Sequence, residues 1–189
     1  MQDSDWKRRE EEWIAGVQRG SEETFEQMFD AFYQRLCAFA AGIVGSKDEA
    51  RQVVHDVFLK IWQRRKEWTV HRSLKAYLYQ ATRNQALNYA ESSDRRLAVE
   101  QTMEDSKKPA RKTKRTAEDQ FRQTELAESI WDAIDRLPER RRTAFILHRQ
   151  HDMTYSDVAE VMGISKKTVE HQMGHALKTL REELPSDLL

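Results

Sequence analysis

The chain has 189 residues, of which 39% are hydrophobic and 34% are charged, and its formal net charge is zero. This length allows one domain or two small ones, and only three prolines and six glycines favour an all-helical protein. No apolar run approaches the roughly eighteen residues of a membrane span, and the charged N-terminus does not fit a secretory signal, so we expect a cytoplasmic protein without membrane insertion.

The charges are distributed unevenly along the chain. Residues 1–30 carry nine acids against four bases, whereas residues 60–96 carry nine bases against three acids. This asymmetry indicates that one surface meets phosphate and another does not. Solvated helix faces produce the same pattern, and they are the commoner cause of any single charge run.

The N-terminal part of the chain predicts one weak helix and one strong helix. Residues 1–20 form a charged segment in which we expect a short or frayed helix. Ser21 can then cap a helix whose apolar residues recur every three or four positions. Cys37 lies in this apolar pattern, which predicts a buried thiol, and a single cysteine excludes an internal disulfide and a cysteine-rich zinc site. Gly42 and Gly45, with Ser46, end the helix.

Two further helices follow. The second opens with Asp48 and Glu49, whose charges suit the positive end of the helix dipole. The segment 64–73 breaks the helical pattern and is basic and aromatic. A third helix begins at Leu74 and runs to about Asp94, with one apolar edge and one polar edge rich in asparagine and arginine.

The second half of the chain predicts a linker and then a second helical module. Residues 97–120 contain few large apolar residues and a run of six bases without an acid, so we expect a flexible basic linker. Helical patterns resume over 121–137 and again after Pro138. The predicted organisation is therefore two modules, 21–96 and 121–184, followed by a tail, 185–189.

The segment from Thr154 to Leu180 has the spacing of a helix-turn-helix. A short helix over 155–162 precedes Gly163, which tolerates a tight turn, and Ser165 can cap the next helix. That helix leaves a polar face exposed, as is typical of a helix that enters a DNA major groove. An ordinary helical hairpin with a glycine turn fits the same spacing.

Three stretches together resemble a known family. FEQMFDAFYQRLCAFAAGIVGSKDEARQVVHDVFLKIW, SLKAYLYQATRNQALNYAESSDRR and LPERRRTAFILHRQHDMTYSDVAEVMGISKKTVEHQ are similar to extracytoplasmic-function sigma factors, the small two-domain initiation subunits of bacterial RNA polymerase. The resemblance implies an all-α fold in which a sigma region 2 helical bundle and a sigma region 4 helix-turn-helix domain are joined by a flexible linker. It covers both predicted modules in the expected order.

The resemblance also implies a function without enzymatic activity, cofactor or metal. The chain would bind core RNA polymerase, recognise the −10 and −35 promoter elements, support promoter melting and initiate transcription of a specific regulon. An anti-sigma factor would hold it inactive. The first two helices would dock on the clamp of the largest subunit, with Phe58 and Trp62 exposed at the flanks unless they are core. The candidate polymerase contacts are Gln52, His55, Asp56, Phe58, Lys60 and Trp62.

Promoter melting requires that extruded bases of the non-template strand be held. Aromatic or polar pockets flanked by cations meet this need, because every base offers a face for stacking and a phosphate to neutralise. In extracytoplasmic-function sigma factors, which this chain resembles, the loop before the third helix captures one flipped base and an asparagine position reads a neighbouring base. The candidate −10 contacts are Trp68, His71, Arg72, Tyr77, Arg83, Asn84, Asn88, Arg95 and Arg96. Tyr77 could be packed instead.

The C-terminal module would read the −35 element and touch the polymerase flap. Many members of the family carry several arginines on the recognition helix, whereas this chain has Glu170, His171 and His175 at the contact positions. Glutamate can accept a hydrogen bond from cytosine N4 and histidine can donate one to guanine. The candidate contacts on this helix are Lys166, Lys167, Thr168, Glu170, His171 and His175. Phosphate contacts would come from Lys166 and Lys167 and from Arg140, Arg141, Arg142 and Arg149.

Other interpretations remain open at this stage. The linker could thread the polymerase channels or act as a passive spacer. A stand-alone helix-turn-helix regulator would bind a duplex operator as a dimer without polymerase. The His55-Asp56 and His151-Asp152 pairs, with His71 and His148, could belong to a metal-dependent phosphohydrolase, although the remaining carboxylate ligands are not readable from the spacing.

Overall fold

A computed structural model describes the backbone of residues 2–101 and 125–184 and the side chains of residues 5–93 and 129–184. These residues form eight helices and no strand, as expected for an all-α protein. The chain divides into two compact units, Met1–Thr116 and Ala117–Leu189. Neither described range contains a helix whose length and apolarity would let it cross a bilayer.

The N-terminal unit contains α1 (Gln2–Gln18), α2 (Glu22–Val44), α3 (Lys47–Gln63) and α4 (Leu74–Gln101). Helices α2, α3 and α4 pack against one another in all three pairs. Their shared core contains Leu36 from α2, Phe58 from α3 and Tyr79 from α4, each at most 2% exposed. Burial of such large side chains supplies the main stabilisation of a small helical module.

Short-range polar contacts set the bounds of these helices. The hydroxyl of Ser21 accepts a hydrogen bond from the backbone N–H of Thr24 at 3.3 Å, and Ser46 does the same for Glu49 at 3.4 Å. Gly45 ends α2 in the left-handed conformation with φ 78°, which glycine adopts without steric cost. The predicted cap at Ser21 and the predicted helix end at Gly45 are confirmed, whereas the sequence interpretation gave Ser46 only as part of that helix end and not as the cap of α3.

Helix α1 is longer and better packed than the sequence predicts. It spans Gln2–Gln18, and Trp13 and Val17 are 5% and 0% exposed. The Trp13 ring meets Phe32 of α2 edge to face, with centroids 5.9 Å apart, and a Cβ at Gly16 would clash with the side chain of Thr24. The expectation of a short or frayed helix is wrong, because these two apolar residues and Gly16 lie on the side that packs on α2.

The C-terminal unit contains α5 (Glu125–Arg136), α6 (Glu139–Arg149), α7 (Tyr155–Met162) and α8 (Lys166–Glu183). Helix α6 packs on α7 and α8. Ile134, near the C-terminal end of α5, and Leu137, which follows the helix, form one apolar cluster with Ala176 and Leu180 of α8. Helix α5 therefore packs on the C-terminal half of α8.

The predicted helix-turn-helix is present in this unit. Thr154 and Asp157 form a reciprocal capping box at the start of α7. Gly163 makes the turn in the left-handed conformation with φ 64°, and the Ser165 hydroxyl accepts a hydrogen bond from Thr168 N–H at 3.1 Å. The predicted turn residue, the predicted cap and the predicted short helix are confirmed.

The described residues include only part of the predicted module boundaries. Helix α4 extends to Gln101, so the first residues of the predicted linker, 97–101, continue that helix. Residues 102–124, which include the rest of the linker and Phe121, lie outside the described residues, as does the tail, 185–189.

Candidate polymerase and nucleic-acid interfaces

A polar network lies on the exposed side of α3 where it meets α4. Gln52 Nε2 donates to Asp56 Oδ1 at 2.9 Å, and Gln85 Nε2 of α4 donates to Asp56 Oδ2 at 3.3 Å. Lys60 Nζ donates to the Gln85 side-chain oxygen at 2.7 Å. Exposed contacts of this kind add little stability. They do hold four side chains in one arrangement, which presents an ordered polar surface to a partner.

Two of the predicted polymerase contacts are less exposed than expected. Phe58 is only 2% exposed, because its ring packs against Phe25 and Phe29 of α2 at centroid distances of 5.9 and 4.8 Å. The expectation that Phe58 is exposed is therefore wrong, and this residue belongs to the core. Trp62 is half-buried against Phe25, with the Arg65 guanidinium 4.6 Å from its ring centroid.

Leu59, which the sequence interpretation did not single out, is the apolar residue that this surface exposes. It is 53% exposed and lies four residues from both His55 and Gln63, on the polar side of α3. Beside His55, the Phe29 and Tyr33 rings of α2 are stacked, and Tyr33 Oη shares a hydrogen bond with His55 Nε2 at 3.3 Å. An apolar residue at a polar-face position is the sequence signal that could have identified Leu59.

The segment between α3 and α4, residues 64–73, is anchored by Trp68. This indole is 5% exposed and meets the Tyr77 ring edge to face at 5.8 Å. Trp68 therefore offers no free face to a base, contrary to the expectation, because its ring packs between the segment and α4. His71 and Arg72 are exposed beyond it, and Tyr77 is half-buried.

Three of the predicted −10 contacts lie on one side of α4. Asn84 and Asn88 are exposed, and with Tyr77 they lie within about 40° of one another around the helix at 3.6 residues per turn. Arg83 is half-buried and points to another side of the helix. The side chains of Arg95 and Arg96 lie outside the described residues.

The first half of α8 carries an exposed polar face over a buried apolar stripe of Val169 and Met173. The Thr168 and Ser165 hydroxyls share a hydrogen bond of 2.8 Å, so Thr168 takes part in the cap. His175 is partly exposed. The exposed candidates on this helix are Lys166, Lys167, Thr168, Glu170 and His171.

His171 and His175 form a close pair on successive turns of α8. Their Nε2 atoms are 3.3 Å apart and their ring centroids 4.4 Å apart. The positive charge of His171 is the largest cause that lowers the pKa of His175, followed by desolvation and the charges of Arg141 and Lys178. The proximity of His171 therefore disfavours protonation of His175.

Helix α6 presents the predicted phosphate contacts in the same unit. Arg140 and Arg149 are exposed, whereas Arg141 and Arg142 are half-buried. Arg142 Nη1 donates to the backbone oxygen of Asp135 at 3.2 Å, which ties it to the end of α5. Arg140, Arg141 and Arg149 remain as cations that can face a DNA backbone.

The geometry also bears on the alternative of a metal-dependent site and on the predicted burial of Cys37. No group of three or more His, Cys, Asp or Glu side chains that could hold a metal occurs among the residues with described side chains. His151 is 5% exposed, and His148 Nδ1 lies 2.7 Å from the Met153 carbonyl oxygen. Cys37 is half-buried rather than fully buried, and desolvation raises the pKa of its thiol.

Comparisons with known proteins agree with this architecture. The family models for Sigma-70 region 2 and Sigma-70, region 4 match residues 28–96 and 127–180. These ranges contain the exposed side of α3, the face of α4 and the helix-turn-helix. The chain is also 24% identical over 176 residues to the ECF RNA polymerase sigma-E factor of Haemophilus influenzae, which covers 90% of this chain and 93% of that protein.

Two solved structures share the fold. CnrH in complex with the cytosolic domain of CnrY has a TM-score of 0.66 at 18% identity, over 92% of this chain and 96% of that chain. The sigma factor RpoE in complex with the anti-sigma factor NepR from Bartonella quintana has a TM-score of 0.62 at 24% identity, over 86% and 98%. The chain therefore belongs to the sigma-70 family, as an RNA polymerase sigma factor of the extracytoplasmic-function type.

Proposed function

We propose that this chain binds core RNA polymerase in the cytoplasm, recognises −10 and −35 promoter elements and initiates transcription of a specific regulon. The main support for the proposal is that one chain matches the family models for sigma region 2 and sigma region 4, in that order. Catalysis of RNA synthesis belongs to the polymerase, and this chain acts by binding and needs no cofactor.

The polymerase contact is proposed for the exposed side of α3. Leu59 is 53% exposed there, and His55 and the Asp56 network lie on the same side. An exposed apolar residue beside ordered polar groups is the composition that interfaces bury, with the apolar residue in the centre. Docking on the clamp of the largest subunit would cover Leu59, and the C-terminal unit would contact the flap.

The −10 contact is proposed for α4 and the segment before it. Asn84 and Asn88 are exposed on one face of α4, and an asparagine side chain can both donate to and accept from an extruded base. His71 and Arg72 are exposed just before that helix and can neutralise or donate to the phosphates of the melted strand. Together they would hold non-template bases and stabilise the open promoter.

The −35 contact is proposed for the N-terminal half of α8. Lys166 and Lys167 lie exposed at its first turn, where a cation and a helix N-terminus both favour a phosphate. Glu170 and the histidine pair would face the base edges. Because these residues replace the several arginines of many family members, affinity from this helix alone should be modest.

An anti-sigma partner is proposed as well. One solved relative of similar fold is a sigma factor in complex with an anti-sigma factor, which supports the same mode of inhibition here. A partner that covers the Leu59 side of α3 would compete directly with polymerase.

Transcription with purified core polymerase tests this function. The full chain and core enzyme are incubated with fragmented DNA from the source organism, and the 5′ ends of run-off transcripts are sequenced. We expect initiation at a set of sites that share −10 and −35 sequences at constant spacing, and no such set with core enzyme alone. Identical 5′ ends with and without the chain would contradict the proposal.

A further inference from the structure

A buried carboxylate of α1 lies at the N-terminus of α4. Glu10 is 7% exposed. Its Oε2 accepts from the backbone N–H of Leu74 at 3.3 Å, and its Oε1 accepts from Lys75 N–H at 3.4 Å and from Trp6 Nε1 at 3.0 Å. Burial of a carboxylate is costly unless hydrogen bonds compensate it, so these bonds fix Glu10 against α4.

Glu10 completes the cap of α4 from 64 positions away in the chain. The first N–H groups of a helix have no partner within the helix. Ser73 Oγ accepts from Ala76 N–H at 3.2 Å, and Glu10 serves Leu74 and Lys75. Helices α2 and α3 have two acids each in their first turns, whereas α4 has none. The negative charge that suits the positive end of α4 is therefore supplied by α1.

The same helix holds the other end of the preceding segment. Gln18 Nε2 donates to the Trp68 carbonyl oxygen at 2.8 Å, and the Trp68 ring is buried. Residues 69–73 therefore run between two points that α1 fixes, namely Trp68 and the first turn of α4. The exposed side chains of His71 and Arg72 lie on this short span.

We infer that α1 is part of the −10-reading surface, in which Glu10 and Gln18 are positioning residues that set the conformation of residues 69–73 and so the choice of base. The inference rests on the proposed function of that segment. It extends beyond the region 2 match, which begins at residue 28. A segment released at either end would gain conformational freedom. It would keep its charge and lose the fixed geometry on which base discrimination depends.

Base discrimination by the holoenzyme tests this role. The probes are single-stranded oligonucleotides with the non-template −10 sequence of a promoter mapped in the transcription experiment, with each of the four bases at each position. For Glu10→Ala and for Gln18→Ala, we expect the ratio of the affinities for the preferred base and for the other bases to fall at least about fivefold at one position. This is the fold-change that corresponds to the loss of one helix-capping hydrogen bond. Affinity for core polymerase should stay unchanged. Glu10→Asp should restore part of the ratio.

Ser21→Ala is the matched control. It removes the cap of α2 in the same unit, where Ser21 accepts from Thr24 N–H, so it should lower thermal stability comparably and leave base discrimination intact. If Ser21→Ala and Glu10→Ala reduce discrimination equally, or if neither α1 variant changes it, the positioning role is refuted. If the wild-type holoenzyme shows no base preference on any probe, the proposed function of the segment is refuted instead.

Discussion

At the scale of single residues, His175 is the group on α8 whose protonation is disfavoured by its neighbours. The pKa of His175 is lowered chiefly by His171, with further contributions from desolvation and from Arg141 and Lys178. A DNA phosphate nearby would act in the opposite direction and favour the protonated imidazole. His175 would therefore take up a proton when a DNA phosphate binds close to it.

Affinity for a −35 duplex should rise as pH falls. A DNA phosphate close to His175 would raise the pKa of this residue in the complex above its value in the free chain, so that binding would take up a proton. As the pH falls, the affinity begins to rise near the pKa of His175 in the complex. It stops rising below the lowered pKa of His175 in the free chain. In His171→Gln the largest cause of the lowering is removed, so the pKa of His175 returns toward 6.5 and the increase levels off at a higher pH.

Fluorescence anisotropy of the duplex with the full chain measures the affinity, and NMR titration of the imidazole protons measures the pKa. His71→Gln, in the other unit, is the control and should leave both curves unchanged. A flat affinity profile in the wild type would contradict the histidine contact.

Asn84 should act in melting and not in polymerase binding. Its side chain is exposed on the face of α4 that Asn88 shares, so Asn84→Ala removes no buried contact. We expect about tenfold less open complex, the effect of losing one base contact worth about 1–3 kcal/mol. Permanganate reactivity of the melted region measures it. Gln27→Ala, an exposed amide on α2, is the control, and wild-type reactivity in Asn84→Ala would show that no base is held there.

At the scale of helices, the sequence predicts what local contacts decide. The caps at Ser21 and Ser165 and the turn at Gly163 depend on residues at most four positions apart, so pattern alone identifies them. The docking of α1 was not predicted, because Glu10 finds its partners 64 and 65 positions away. No period in the sequence encodes such a contact.

On α3, the sequence pattern misplaced the edge of the exposed face by one residue. Phe58 and Leu59 are neighbours on α3, and one step around a helix is about 100°. Phe58 is 2% exposed and Leu59 is 53% exposed. A broad apolar face in the sequence does not say where its edge lies, since the edge depends on how α2 and α4 pack on α3.

The packing of α1 on α2 should contribute measurably to the stability of the N-terminal unit. Trp13 is 5% exposed and contacts Trp6 and Phe32. Trp13→Ala should lower the free energy of unfolding of that unit by about 3–5 kcal/mol, measured by urea denaturation followed by circular dichroism. Leu59→Ala, at an exposed position, should stay within about 0.5 kcal/mol of wild type. An equal loss in both variants would contradict the packing of α1.

At the scale of the whole molecule, charge is divided between surfaces while the total is zero. The α3 side offers an apolar residue and hydrogen-bonded polar groups, whereas α4, the segment before it and α8 offer amides, histidines and cations. A chain of this kind has no overall attraction for DNA. Its two units gain promoter affinity when polymerase holds both on one DNA molecule, since the second contact then becomes intramolecular.

The most direct measurement is the affinity of the full chain for purified core RNA polymerase in the absence of DNA. We expect a stable complex of one chain per core enzyme. We also expect about tenfold weaker binding for Leu59→Ala, the effect of a leucine side chain that is no longer fully buried in an interface, and unchanged binding for Gln27→Ala. Absence of any complex between the folded wild-type chain and core polymerase would contradict the account.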